Sequence, residues 1–145
     1  MGMEYVTRSA EETRAMASAW AQSLAPGAVV RLHGGLGAGK TTWVQGMARG
    51  LGIEGEATSP TFALLHEYEG GAFPLQHWDL YRLGPETDWC QLDLADQLPG
   101  PGVTVVEWPE RYPGPWPETA QDVWIEETPA GGRRIRIGSK RPLPW

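Results

Sequence analysis

Three features of this chain could do chemistry: one glycine-rich run ending in a lysine, and two carboxylates that each close an apolar stretch. The run is Gly34-Gly35-Leu36-Gly37-Ala38-Gly39-Lys40-Thr41, followed by Thr42. It fits the spacing G-x-x-x-x-G-K-[ST] of a phosphate-binding loop. Glycines let successive backbone N–H groups turn inward as an anion nest, and a following helix points its positive dipole end at the same spot. In such a loop Lys40 reaches the β- and γ-phosphates, the Thr41 hydroxyl takes one position on Mg²⁺, and Thr42 can bond the α-phosphate side. The nest itself comprises Gly34, Gly35, Leu36, Gly37, Ala38 and Gly39.

Composition does not produce this match by accident. With 19 Gly, 2 Lys and 15 Ser plus Thr among 145 residues, roughly 0.003 matches are expected by chance. The context also agrees. Val29-Val30-Arg31-Leu32-His33 is a short β-branched run that enters the loop after the turn signal Pro26-Gly27. Beyond the loop, Val44, Met47, Ala48 and Leu51 recur at helical spacing until Gly50 and Gly52 stop the pattern.

A phosphate loop that handles Mg²⁺ needs an acidic residue at a strand end. Asp79, in Leu75-Gln76-His77-Trp78-Asp79, is one candidate; Glu107, which ends Val103-Thr104-Val105-Val106, is the other. One of the two could be a solvated strand terminus.

Around these residues the chain reads as a single domain over 1–145. One cysteine, Cys90, excludes an internal disulfide and a multi-cysteine zinc site. No apolar run approaches the roughly 18 residues of a membrane span, and no signal-peptide pattern opens the chain, so the expected location is the cytoplasm. Seven basic and all eighteen acidic residues fall within 1–132, for a charge of −11 there; the last thirteen residues carry +5. An acidic body is a poor independent binder of nucleic acid. The tail, with Arg133, Arg134, Arg136, Lys140 and Arg141, is read as a strand face paired to Glu126 and Glu127, ahead of an RNA or partner patch.

Ser9 with Glu12 announces a first helix by a capping box, with Met16, Ala17, Trp20 and Leu24 as its apolar stripe. Thr58-Ser59-Pro60-Thr61 leads into a strand expected from Phe62 to Tyr68, with a hairpin through Gly70-Gly71 to a return strand over about 74–80. Residues 85–98 read as a helix, with Leu92, Ala95 and Leu98 on one face. A last hairpin pairs Val123-Trp124-Ile125 with Ile135-Arg136-Ile137 through Gly131-Gly132.

Taken together, "GGLGAGKTTWVQGMARGLG", "SPTF", "HWDLYRL" and "VVEWPER" occur in the order found in the TsaE (YjeE-type) family, which the chain resembles over nearly its whole length. It departs from the family pattern at Gly35, where an acidic residue is usual, and around Trp89-Cys90-Gln91. The resemblance implies an α/β P-loop fold with a mixed central sheet flanked by helices and an antiparallel C-terminal hairpin. It implies Mg²⁺-dependent ATP hydrolysis serving threonylcarbamoyladenosine formation in tRNA, with TsaD and TsaB as partners and tRNA reached only through them. It places Thr61 in a switch-like loop near the γ-phosphate and makes Glu107 the favoured Mg²⁺ ligand beside Thr41. Asp79 then orients the attacking water or a metal-bound one. Trp108 lies close to the nucleotide or serves as a hydrophobic anchor, and Arg133 is a candidate for the base side of the pocket. Two other readings stand beside this one. A small-molecule kinase is disfavoured by the lack of room for an acceptor pocket and lid; a nucleotide-gated binding module would have negligible turnover.

Overall fold

The computed structural model describes residues 3–54, 64–92 and 94–138. Seven strands form one mixed sheet: β1 (Met3–Thr7), β2 (Val29–His33), β3 (Leu65–Tyr68), β4 (Leu75–Asp79), β5 (Val103–Glu107), β6 (Gln121–Glu127) and β7 (Arg133–Gly138). Their order is β1-β7-β6-β2-β5-β4-β3. The central strands β6, β2, β5 and β4 are parallel, as buried strands with crossover connections must be, while β3 and the β7-β1 pair extend the sheet antiparallel at its two ends.

Strand alternation sends Val30, Leu32, Val103, Val105, Val123, Ile125, Ile135 and Ile137 to one face. Helices α1 (Ala10–Ala21) and α2 (Lys40–Gly50) pack there and bury Ala17, Ala21, Trp43, Val44 and Met47 against them. The two helices approach closely because α2 carries glycine where they meet. A Cβ at Gly46 would sit 2.4 Å from the Arg14 carbonyl oxygen, and one at Gly50 would sit 2.2 Å from that of Ser18. Gly50 is therefore a packing residue as well as the end of the helix. Gly52, at φ +81, makes the left-handed turn beyond it.

The capping box at α1 is present in altered form. Ser9 Oγ accepts from the Glu12 amide at 3.1 Å, while Glu12 Oε1 accepts from the Arg8 amide rather than from Ser9. The hairpin across 70–71 and the C-terminal hairpin form as the sequence indicates, the latter with Val123 opposite Ile137 and Ile125 opposite Ile135. The strand entering the first hairpin begins at Leu65; the expected residues 62–63, with Thr58 to Thr61, lie outside the described residues.

The helix expected over 85–98 is not there. That stretch holds one turn, α3 (Trp89–Leu92), and a 3₁₀ turn over Ala95–Gln97. Asp88 explains part of the difference: its Oδ1 accepts from the Cys90 amide at 3.1 Å, a local bond that starts a short turn at Trp89. Leu94 and Leu98 then fold onto the second face of the sheet with Val29, Trp78, Leu80, Val106 and Tyr112. Tertiary burial thus overrides the helical spacing.

Candidate phosphate-binding site

The loop lies between β2 and α2, at the ends of the parallel strands. Gly37 and Gly39 both take positive φ, +77 and +110, which is the conformation their lack of Cβ permits. Gly34 is held for another reason: a Cβ there would meet the Ile125 carbonyl oxygen of β6 at 2.8 Å. Gly35 has open space around it and Leu36 is exposed, so these two loop positions tolerate variation. Ala38 is buried. Helix α2 starts at Lys40 with no side-chain cap and no acidic residue in its first turn. Its first-turn amide groups and dipole favour an anion at this point.

Lys40 is buried, and its Nζ makes no hydrogen bond. The ammonium lies 3.8 Å from Glu107 Oε1, an ion-pair separation beyond hydrogen-bond reach, and 3.9 Å from the centre of the Trp108 ring. Burial pulls its pKa down, while Glu107, Asp79 and Glu110 pull it back up. Thr41 and Thr42 follow at the start of α2, both half-buried.

Both candidate carboxylates are brought to this lysine. Asp79 and Glu107 are register partners at the ends of the neighbouring parallel strands β4 and β5. Glu107 is buried, and burial raises the pKa of Asp79 above the ordinary carboxylate value, against a bond from the Tyr81 amide to Oδ1 at 3.0 Å. Sequence reading missed the partner of Glu107. His77 is fully buried, and its Nε2 shares a short hydrogen bond with Glu107 Oε2. The signal was available: His77 and Asp79 are two apart on one strand and so share a face. With Oε2 taken by His77, Oε1 is the oxygen turned toward Lys40.

Trp108 has φ 55 and ψ 49, the one non-glycine residue at positive φ among those described. That conformation costs about 1–2 kcal/mol. It turns the chain sharply after Glu107 and sets the ring against both Lys40 and Tyr81, whose ring centre is 4.9 Å away.

Arg133 reaches the other flank of the loop. Its guanidinium donates to the carbonyls of Gly131 and Gly132 at 3.2 and 3.0 Å and to that of Gly37 at 3.4 Å. With Thr42, Gly39, Ser9 and Thr13 it lines a small cavity of about 100 Å³. Thr61 lies outside the described residues. On the opposite flank, Gly34 and Gly35 border an open cleft of about 830 Å³ walled by Trp108, Trp116 and Trp124. At its floor Asp122 accepts from Arg31 through two bonds of 2.8 Å and pairs with His33 at 2.7 Å.

Of the expected tail pairings, the described residues show one, Arg134 with Glu126, while Arg136 pairs with Glu4 instead. Arg134 faces Glu126 across the strands at 3.8 Å, and Glu4 of β1 adds a second partner at 3.2 Å. Arg133 is in register with Glu127 but spends its donors on the loop. Lys140 and Arg141 lie outside the described residues.

Among the described residues no three His, Cys, Asp or Glu side chains cluster to hold a metal. Mg²⁺ at phosphate sites characteristically uses one or two carboxylates with substrate phosphates and water, so Thr41, Glu107 and Asp79 fit that ion. No helix among the described residues is long and apolar enough to cross a membrane.

Comparison with known proteins gives consistent results. A family model described as threonylcarbamoyl adenosine biosynthesis protein TsaE matches residues 7–135. The tRNA threonylcarbamoyladenosine biosynthesis protein TsaE of Treponema pallidum is 40% identical over 135 residues, covering 93% of this chain and 99% of the relative. Its namesake in Synechocystis is 44% identical over 119 residues, covering 77% and 73%. The crystal structure of YdiB from Bacillus subtilis superposes with a TM-score of 0.79 at 33% identity, covering 97% of this chain and 87% of that one.

Proposed function

The chain belongs to the TsaE family, and from that premise we propose that it binds ATP with Mg²⁺ and hydrolyses it in support of threonylcarbamoyladenosine formation in tRNA. The observation that carries the nucleotide reading is Lys40: a buried ammonium without a hydrogen bond, at the uncapped N-terminus of α2, facing two strand-end carboxylates.

The roles follow from that arrangement. Residues Gly34 to Gly39 cradle the phosphates with their amides; Lys40 contacts the β- and γ-phosphates; Thr41 and Glu107 hold Mg²⁺, which neutralises phosphate charge when bound. Asp79, beside Glu107 and half-buried, orients the attacking water. His77 holds Glu107 through Oε2 and leaves Oε1 available. Thr42 and Arg133 flank the α-phosphate and base side, Trp108 covers the lysine, and Thr61 belongs to the γ-phosphate loop. TsaD and TsaB are the proposed partners in the cytoplasm, with tRNA engaged through them; the ion-paired basic strand supports this indirect route.

The test is phosphate release from ATP by the protein alone and with the TsaD–TsaB pair, beside partner affinity with ATP analogue, with ADP and without nucleotide. Release to water that rises with the partners, and nucleotide-dependent docking, are expected. Phosphate appearing on a small acceptor would make the protein a kinase; no turnover in any mixture would make it a binding module.

A further inference from the structure

Arg111 closes the motif "VVEWPER", and none of the roles above uses it. It ends the 3₁₀ turn Pro109–Arg111, four residues after Glu107, and is exposed. Its guanidinium carbon lies 5.9 Å from the ring centres of both Trp108 and Tyr81, and one 3.3 Å bond ties it to the Leu83 carbonyl. Most other arginines near the sheet are committed. Arg14, Arg31, Arg49, Arg134 and Arg136 each pair with a carboxylate, and Arg133 is spent on loop carbonyls. Arg111 makes no carboxylate pair among the described residues.

Its position is the second observation. Lys40 Nζ and the Arg111 guanidinium carbon stand over the same Trp108 ring, 3.9 and 5.9 Å from its centre, so one indole is shared by the loop lysine and the guanidinium. Trp108 also occupies a strained backbone conformation, which leaves it an alternative to relax into. Glu107, Asp79 and Glu110 all act on the Lys40 ammonium, and a triphosphate adds further negative charge.

We propose that Arg111 is a catalytic residue of this ATPase, a cis-acting arginine that reaches the γ-phosphate when nucleotide displaces the Trp108 ring from Lys40. The inference rests on the ATPase reading above. In the step it serves, a water oxygen bonds to the γ-phosphorus while the bond to the β–γ bridging oxygen breaks. The electron pair of that bond leaves on ADP, and the water's proton passes to phosphate or solvent. Arg111 gives up no proton. It donates to the oxygens on which charge accumulates, as in phosphoryl transferases that carry their arginine in cis. Its hold before nucleotide arrives is one bond and two ring faces, weak enough to exchange for phosphate oxygens.

The experiment compares Arg111→Ala and Arg111→Lys with the parent protein in ATP turnover, in ATP affinity, and in turnover with added N-ethylguanidinium. Arg111→Ala is expected to lower kcat by roughly 10²-fold or more while ATP affinity changes less than about threefold, and Arg111→Lys to retain part of the rate. N-Ethylguanidinium should restore Arg111→Ala several-fold and saturably, with no such effect on the parent. A merely structural arginine would give equal losses in binding and turnover and no rescue. Unchanged kcat in Arg111→Ala, or loss without rescue, overturns the proposal while leaving the ATPase reading standing. If the parent neither binds nor turns over ATP, both fall together.

Discussion

Replacing Lys40 by methionine should separate the energetics of the fold from those of the site. The ammonium is 6% exposed and lacks a hydrogen bond, and burying such an ion costs several kcal/mol even after relaxation. Two interactions oppose that cost. At 3.8 Å and an effective dielectric constant of about 20, attraction to Glu107 is worth about 4 kcal/mol, and the face of Trp108 adds about 1–2 kcal/mol. These terms nearly cancel. Methionine fills similar space, and Glu107, though it loses the ammonium, keeps its hydrogen bond to His77. The Lys40→Met protein should therefore match the parent's unfolding free energy within about 1 kcal/mol. Nucleotide binding has no such cancellation. Each charge-assisted bond from lysine to phosphate is worth about 1.5–3 kcal/mol, so affinity for Mg·ATP should fall roughly 10- to 100-fold per bond lost. Denaturant unfolding without nucleotide and titration calorimetry with Mg·ATP measure the two halves. A variant that binds ATP like the parent would refute the loop assignment. A variant several kcal/mol less stable would refute the account of the buried ammonium.

Glu107→Gln and Asp79→Asn should each lower kcat by at least about tenfold with a smaller change in ATP affinity, because metal and water placement matter most in the transition state. Normal turnover by both at saturating Mg²⁺ would move the metal site elsewhere. Gly46→Ala should cost about 1–3 kcal/mol, since its Cβ would lie 2.4 Å from the Arg14 carbonyl oxygen; thermal melting should show a fall of several degrees. Asp122 gives a pH signature. Burial works against its charge, but hydrogen bonds from His33 and Arg31 outweigh it and hold its pKa below the ordinary value. A depressed folded pKa contributes stability above the unfolded carboxylate value and loses it as pH falls through the folded one. Asp122→Asn should lower stability at neutral pH and flatten the acid side of the profile, checked by urea unfolding from pH 7 to pH 3.

The parts of the fold legible in the sequence are those whose signal is local. The run Val29–His33, the glycine loop and the stripe after it describe β2, the nest and α2 almost residue for residue, because a β-branched run, glycine spacing and a 3.6-residue period each follow from short-range sterics. Strand β1 was not legible. Met-Glu-Tyr-Val-Thr has no clean alternation, and its strand character comes from pairing with β7, more than a hundred residues later. The 85–98 stretch failed the other way: its helical spacing was real, but Leu94 and Leu98 gain more from lying on Val29 and Val106 than a helix would give. In the site, residue types identified Lys40, Asp79 and Glu107, and register brought them together. The bond from His77 and the left-handed turn at Trp108 needed coordinates, since neither follows from a residue's own preferences.

Strands β6 and β7 have a job that their sequence does not advertise. Parallel strands β2, β5 and β4 alone would place the loop, its lysine and both carboxylates. Yet Gly34 lies so close to the Ile125 carbonyl of β6 that no Cβ fits, and Gly37 accepts a bond from Arg133 at the start of β7. The loop is thus gripped by β6 at its entry and by the β6–β7 turn near its middle. A seven-residue strand paired to β7 and β2 cannot shift by one register step without turning Val123 and Ile125 out of the core. That penalty fixes where the Ile125 carbonyl and Arg133 stand, and so fixes the conformation of the glycine nest. Strand pairing well outside the motif holds ready a loop whose glycines, left to themselves, would populate many shapes.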